Sequence, residues 1–226
     1  MSGLRPSRYP RRKPTTGALL RVYRALRQHY GPRHWWPGET PFEVMIGAIL
    51  TQNTAWKNVE KAIRNLKQEG VLAPRKLHQL PVSQLAQLIR PAGYFNVKAK
   101  RLKHFLDFFS GRYQGDVKRM RQVGLPRLRE ELLGVNGIGE ETADSILLYA
   151  LGKRSFVIDA YTRRVFSRHR YLSGKESYAQ IQKTFSGLLP KSKPLYNDYH
   201  AQIVEVGKDY CRKSPDCDHC PLKRFL

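Results

Sequence analysis

The segment Leu133-Gly134-Val135-Asn136-Gly137-Ile138-Gly139-Glu140-Glu141-Thr142-Ala143 constrains this chain more than any other. Two glycines flank one apolar residue directly before a helical pattern. Lacking a Cβ, Gly137 and Gly139 let the backbone turn tightly and come close to another surface. Ile138 is the expected core anchor of the turn. The N–H groups at the start of the following helix then point at one spot, with the positive end of the helix dipole behind them. Such a spot binds anions. The plainer reading is an ordinary helix start after a glycine turn.

Charge suggests which anion. Lys plus Arg number 41 and Asp plus Glu 18, so the 226-residue chain carries a net charge of +23. An excess of this size matches a polyanion, with nucleic acid first. A membrane surface is second, and no long amphipathic basic helix supports it. A charge that only solubilises is the third reading. The longest apolar run, Val44 to Leu50, is far short of the ~20 residues that cross a bilayer. The N-terminus has no apolar stretch of the secretory type. The first 38 residues contain no acid and include Arg5, Arg8, Arg11, Arg12 and Lys13. Residues 1–15 therefore read as a basic flexible arm, either touching phosphates or without a role. A cytoplasmic, nucleoid-associated protein of a bacterium or archaeon is expected.

Apolar residues recur at helical spacing, and no convincing strand alternation appears. The pattern predicts helices over Thr16–Gln28, Pro41–Leu50, from about Ala55, over Pro81–Ile89, Asn96–Phe109, Leu125–Leu133, Glu140–Leu151, from about Tyr161, and over Asn197–Gly207. In the Asn96–Phe109 helix, Ala99, Leu102, Phe105 and Phe109 are expected inward, and Lys98, Lys100, Arg101 and Lys103 outward. Short Gly/Pro loops between such helices mean an all-α fold.

Val157-Ile158-Asp159-Ala160-Tyr161 places an aspartate between an apolar stretch and a helix. An aspartate there is ordinarily an N-cap. A carboxylate downstream of a phosphate-binding hairpin is also what cleavage of an N-glycosidic bond needs. That reaction builds positive charge on the sugar ring, which a fixed carboxylate stabilises while orienting water.

These pieces together resemble the endonuclease III superfamily, the helix-hairpin-helix (HhH-GPD) DNA glycosylases. The resemblance runs from Pro41-Phe42-Glu43 and Ile49-Leu50-Thr51-Gln52-Asn53-Thr54, through Gly93-Tyr94-Phe95-Asn96-Val97-Lys98-Ala99, the hairpin and Asp159, to the cysteines at the C-terminal end. It implies a two-lobed all-α fold. A six-helix barrel domain would span 41–152 and contain the hairpin 133–143. A discontinuous second helical domain would combine 16–40 with 153–226. The resemblance also implies double-stranded DNA as partner, a monomer, and a damaged or mismatched base flipped out of the duplex. Asp159 would be catalytic. Gln52 would fill the gap left in the duplex, or else only satisfy a helix end. Gly137, Gly139, Glu140, Glu141 and Thr142 would meet the DNA backbone.

Lyase members of the superfamily carry a lysine just before the Thr-Ala of the hairpin helix. Here that residue is Glu141, which cannot form an imine. A monofunctional glycosylase in base excision repair is therefore expected. A bifunctional glycosylase/lyase and a DNA-binding module without catalysis are the alternatives. The Thr51–Glu60 stretch and the Trp35-Trp36-Pro37 loop are most similar to the 3-methyladenine glycosylase branch. Trp35, Trp36 and Trp56 would then wall a pocket for a cationic alkylated purine, or else be core packing. Uracil or mispaired thymine is the competing substrate.

Cys211, Cys217 and Cys220 are spaced C-x5-C-x2-C in a loop spanning 211–226. An odd, clustered set is a metal-type pattern rather than a disulfide framework. By resemblance it would hold a [4Fe–4S] cluster, but the fourth cysteine position is Leu226. The alternatives are a non-cysteine fourth ligand, zinc with His219 or His200, or no metal.

Overall fold

The computed structural model describes residues 11–33 and 35–225. It is all-α, with no strand among the described residues. The helices are α1 (Thr16–Tyr30), α2 (Pro41–Leu50), α3 (Trp56–Gln68), α4 (Pro74–Gln79), α5 (Val82–Leu88), α6 (Phe95–Tyr113), α7 (Val117–Gln122), α8 (Leu125–Leu133), α9 (Glu140–Ser145), α10 (Ala160–Arg168), α11 (Tyr178–Leu188) and α12 (Lys193–Asp209). After α9 the chain widens into a π turn over Ile146–Ala150. No helix among the described residues is long and apolar enough to cross a membrane.

The chain divides into two compact units. One is Trp35–Ser155; the other is formed by the described residues on either side of it. In the Trp35–Ser155 unit, α2 is the central rod. Thr40 caps it by accepting from the Glu43 N–H at 3.1 Å, and Pro41 occupies its first turn. Every residue from Phe42 to Leu50 is buried. Around it, α6 turns Ala99, Leu102, Phe105 and Phe109 inward as its periodicity predicts. Ile138 of the hairpin is buried in the same core, as expected of an anchor.

Lys98 corrects the sequence reading. It was expected on the outer face of α6, yet it is 1% exposed. Its Nζ donates to the Leu50 carbonyl and the Ala92 carbonyl, each at 2.8 Å, and to Thr54 Oγ1. The acceptors at 50 and 92 end α2 and the turn preceding α6. Carbonyls at helix ends have no partner within the helix, and the lysine supplies one. Burial, followed by the nearby Arg101, lowers the Lys98 ammonium to about 8.

The other unit packs α1, α10, α11 and α12 around Phe156, Phe166, Phe185 and Tyr199. Asp198 on α12 accepts from the Tyr23 hydroxyl and from the Arg33 backbone N–H, both at 2.7 Å. It thereby ties α1 and the chain leaving it to α12. The close packing of α10 on α12 depends on Gly207, where a Cβ would fall 2.4 Å from Tyr161 Cδ1. Of the basic arm expected over 1–15, residues 1–10, with Arg5 and Arg8, lie outside the described residues. Arg12 is not free: its N–H donates to the Arg170 carbonyl at 3.1 Å and its guanidinium to the Phe225 carbonyl at 2.6 Å.

Replacing Lys98 with Met keeps the stem and removes the donor, leaving two carbonyls of the unit's interior without this partner. The expected cost is about 2–4 kcal/mol, as for buried acceptors losing a hydrogen bond, read by urea unfolding. A loss below about 0.5 kcal/mol, the range of an ordinary surface change, would contradict this role.

Candidate functional site

The hairpin adopts the geometry its glycines permit. Gly137 has φ +91°, in the region that favours glycine, and Gly139 is extended with ψ 178°. A Cβ on Gly137 would fall 2.3 Å from Cγ of Arg101, so the turn lies directly on the α6 side chain. Gly139 caps α9 with no side chain bonded to the first turn. Glu140 and Glu141 open α9. Glu140 faces the Arg129 guanidinium at 3.5 Å, which offsets its charge. Arg129 also grips buried Asp144, its Nε standing 3.0 Å from Oδ1. Thus α8 is clamped to α9.

Gln52 stands in the turn after α2 and reaches this hairpin. Its Nε2 donates to the Gly137 carbonyl and to Thr142 Oγ1, both at 2.9 Å, and its Oε1 accepts from Arg101. Gln52, Gly137 and Thr142, selected separately from the sequence, are therefore one cluster.

The three tryptophans form another. Ring centroids lie 5.8 Å apart for Trp35 and Trp36, 6.2 Å for Trp35 and Trp56, and 5.1 Å for Trp36 and Trp56. Tyr149 joins Trp36 at 5.1 Å. All three indoles are half-buried, so they are not core side chains alone. Trp56 Nε1 donates to Glu60 at 2.7 Å, which fixes its ring. Trp36 and Trp56 border a recess of about 350 Å³ with Gly47 at its floor. A Cβ on Gly47 would lie 3.4 Å from Trp36 Nε1 and 3.7 Å from Trp56 Cη2. The indoles thus lie close over this position of α2, with room for a methyl group but not for a branched side chain.

In the other unit Asp159 is the N-cap of α10, as an aspartate there ordinarily is. Its Oδ1 accepts from the Thr162 N–H at 2.7 Å and the Thr162 hydroxyl at 2.8 Å. Its Oδ2 faces His200 Nε2 at 3.5 Å. The carboxyl is 8% exposed. Burial pushes its pKa up, but His200 and the Thr162 hydrogen bonds outweigh this and hold it below the usual value. The side chain is thus an ionised carboxylate with one oxygen fully used by the helix start.

Cys211, Cys217 and Cys220 border one small cavity, about 20 Å³. Cys211 Sγ accepts from Arg168 at 3.2 Å. Burial, then the neighbouring Cys211 and Cys217, push the Cys220 thiol up. Neither histidine weighed as a fourth ligand joins them. His219 is turned onto Asp216 at 2.8 Å and is 78% exposed, and His200 faces Asp159. The position of Leu226 lies outside the described residues. Among the described residues no three His, Cys, Asp or Glu side chains are grouped to hold a metal ion. Among the described residues the three cysteines are not joined by a fourth ligand of the kind a cluster or structural zinc takes. As folded, the loop is held by Arg168 donating to the Arg212 carbonyl at 2.6 Å and by Arg164 donating to the Cys211 carbonyl.

Four residues around these clusters were not selected from the sequence, Gly47, Tyr94, Lys98 and Arg101, and His200 was weighed there only as a zinc ligand. Tyr94 is 72% exposed and holds φ +47° directly after Gly93 at φ +66°. An exposed aromatic in a left-handed backbone is uncommon in an element that only packs. The glycine before it was the available signal.

The profile described as HhH-GPD superfamily base excision DNA repair protein matches residues 46–191. A Methanocaldococcus jannaschii protein named as a candidate DNA repair glycosylase is 50% identical over 209 residues, covering 92% of this chain and 94% of that protein. Endonuclease III of Sulfolobus acidocaldarius is 29% identical over 185 residues, covering 81% of this chain and 80% of the enzyme. Among solved structures, H. pylori 3-methyladenine DNA glycosylase bound to 1,N6-ethenoadenine superposes with a TM-score of 0.76 at 29% identity, covering 86% of this chain and 98% of that one. An endonuclease III–DNA complex shares the fold, with a TM-score of 0.80 at 23% identity, covering 94% and 95%. The chain belongs to the HhH-GPD superfamily of base excision DNA repair glycosylases, within the endonuclease III superfamily.

Gly47→Ile would push a branched side chain into the floor beneath Trp36 and Trp56. The near-ultraviolet circular dichroism of the tryptophan cluster is expected to change clearly while the far-ultraviolet helical signal persists. An unchanged near-ultraviolet spectrum would show that the indoles do not rest on this helix.

Proposed function

We propose that this chain is a monofunctional DNA glycosylase that hydrolyses the N-glycosidic bond of an alkylated purine such as 3-methyladenine in double-stranded DNA. The observation that carries the reading is Asp159: a nearly buried carboxylate, kept ionised, one of whose oxygens is fully committed to holding it in place.

The chemistry follows from charge. An N-alkylated purine deoxynucleoside is cationic, so the base departs as a neutral molecule and needs no proton from the protein. The difficulty is the oxocarbenium-like sugar left behind. A carboxylate fixed before the reaction starts stabilises that charge without reorganising. Oδ1 is occupied by Thr162, so Oδ2 is the oxygen assigned to the sugar or to the attacking water.

The other roles follow the clusters. The amides opening α9 take a backbone phosphate, with Gly137 and Gly139 giving close approach. Gln52 enters the space vacated by the flipped nucleotide. Exposed Tyr94 is assigned to the duplex as well, as a stacking surface. The half-buried indoles of Trp35, Trp36 and Trp56 supply electron-rich faces for a cationic base. One relative supports the substrate class: the H. pylori protein is named as a 3-methyladenine glycosylase.

Glu141 stands where a lyase of this superfamily has its lysine. Lys98 does not replace it. Its Nζ is buried and donates to three acceptors, so its lone pair is not available for attack. The product is therefore an abasic site in an uncut strand. The protein acts as a monomer.

The test is chromatographic. Duplex DNA treated with a methylating agent is incubated with the parent protein and with Asp159→Asn. Release of a methylpurine by the parent, reduced at least ~100-fold in the variant on the scale of a lost electrostatic group, is the expected result. Release of uracil or mispaired thymine, and not of methylpurine, would overturn the substrate class.

A pH profile is a second check. Asp159 has a lowered pKa in the folded protein, so its charge is present above the ordinary carboxylate range and is lost only as pH falls below it. Single-turnover base release should stay level from neutrality down to about pH 5, above the ordinary aspartate value. A sharp fall already between neutrality and that point would contradict an ionised Asp159.

A further inference from the structure

The contacts of Gln52 assign a role to a residue outside the sites described above. The guanidinium of Arg101 only donates hydrogen bonds and the Gly137 carbonyl only accepts them. The amide facing them therefore has one orientation, Oε1 toward Arg101 and Nε2 toward Gly137. Both hydrogens of Nε2 are used, one on Gly137 and one on Thr142. Oε1 has two lone pairs, and Arg101 occupies one.

Arg101 is itself fixed by its surroundings. Its aliphatic stem fills the space that a side chain on residue 137 would need. One turn earlier on the same helix, Lys98 pins the ends of the turn that carries Gln52, through the Leu50 carbonyl and Thr54 Oγ1. The amide is thus held from α6, from the hairpin and from α9, while Gln52 stays only half-buried.

We infer that Arg101 is a positioning residue that locks Gln52 as a hydrogen-bond acceptor for the unpaired base left opposite a flipped nucleotide. This rests on the proposed placement of Gln52 in the duplex gap. Each of the four DNA bases offers an N–H on its pairing edge: N3 of thymine, N1 and N2 of guanine, N4 of cytosine, N6 of adenine. A locked acceptor serves all of them. It requires an unpaired base and accepts any identity, which suits an enzyme whose target lies opposite whatever base pairs with it. Without Arg101 the amide can rotate, and its Nε2 would then face bases as a donor.

The test is a binding cycle that involves no chemistry. Affinity is measured for two duplexes of the same sequence, one intact and one holding a tetrahydrofuran abasic analogue. The preference for the abasic duplex is compared among the parent, Arg101→Met, Gln52→Ala and the double variant. Each single change is expected to cut the preference about tenfold, and the double variant no further than Gln52→Ala alone, as for residues acting as one unit. Arg101→Lys, which restores one donor, should recover part of it. Equal weakening on both duplexes would instead mark Arg101 as a plain phosphate contact and overturn the inference. So would costs that multiply in the double variant, or a Gln52→Ala preference equal to the parent's. Because no bond is cleaved, these outcomes stand apart from success or failure of methylpurine release.

Discussion

The Lys98 ammonium, buried and shared among the Leu50 carbonyl, the Ala92 carbonyl and Thr54, holds together the turns after α2 and before α6 in the Trp35–Ser155 unit. The turn after α2 and the turn before α6 both end in carbonyls that need a donor away from water. A single cation with three N–H groups supplies both. With those turns fixed, Gln52 projects from one of them toward the hairpin, and Gly93 and Tyr94 are held at the other. A buried charge is costly unless its hydrogen bonds are complete. Here every donor of the ammonium has an acceptor, so the contact is a constraint on loop geometry more than a source of stability.

The hairpin depends on a complementary economy of size. Gly137 allows the Arg101 stem to lie against the turn, where a Cβ would fall 2.3 Å from its Cγ. In the second unit Gly207 does the same for Tyr161, two residues beyond Asp159. Asp159 is held by the start of α10, and that helix is packed on α12, which carries His200. The carboxylate is thus rigid for reasons of helix capping, and its pKa is held down by His200 of α12 together with the Thr162 hydrogen bonds that capping brings.

Much of this was legible in the sequence, and the exceptions have physical causes. Amphipathic helices such as α1, α3 and α6 announce themselves through periodic apolar residues, and α2 through an unbroken apolar run. The six-residue α4 and α7 bury only Leu77 and Met120 respectively, which is too little for a period to show. Helix α11 left a signal that was passed over: Ser177 and Gln180 form a capping box. Lys98 was read as a surface residue because Lys100, Arg101 and Lys103 follow it and a lone lysine inside a basic stretch looks solvated. Its burial is decided by carbonyls from other parts of the chain. The hairpin, Asp159 and the tryptophans were readable because each belongs to a short motif. Arg101 and His200 were not, because their roles exist only through partners 49 and 41 residues away in sequence, Gln52 and Asp159.

In the proposed mechanism a carboxylate and water, with no lysine nucleophile, break the glycosidic bond. This is tested most directly by incubating a methylated duplex, labelled on the damaged strand, with the protein under single-turnover conditions, in parallel arms with and without borohydride. The expected result is a strand free of protein in the borohydride arm and, in the other arm, a strand that stays full length and breaks only on later treatment with alkali. A borohydride-trapped protein–DNA adduct, accompanied by strand cleavage without alkali, would show an imine intermediate and contradict the hydrolytic mechanism.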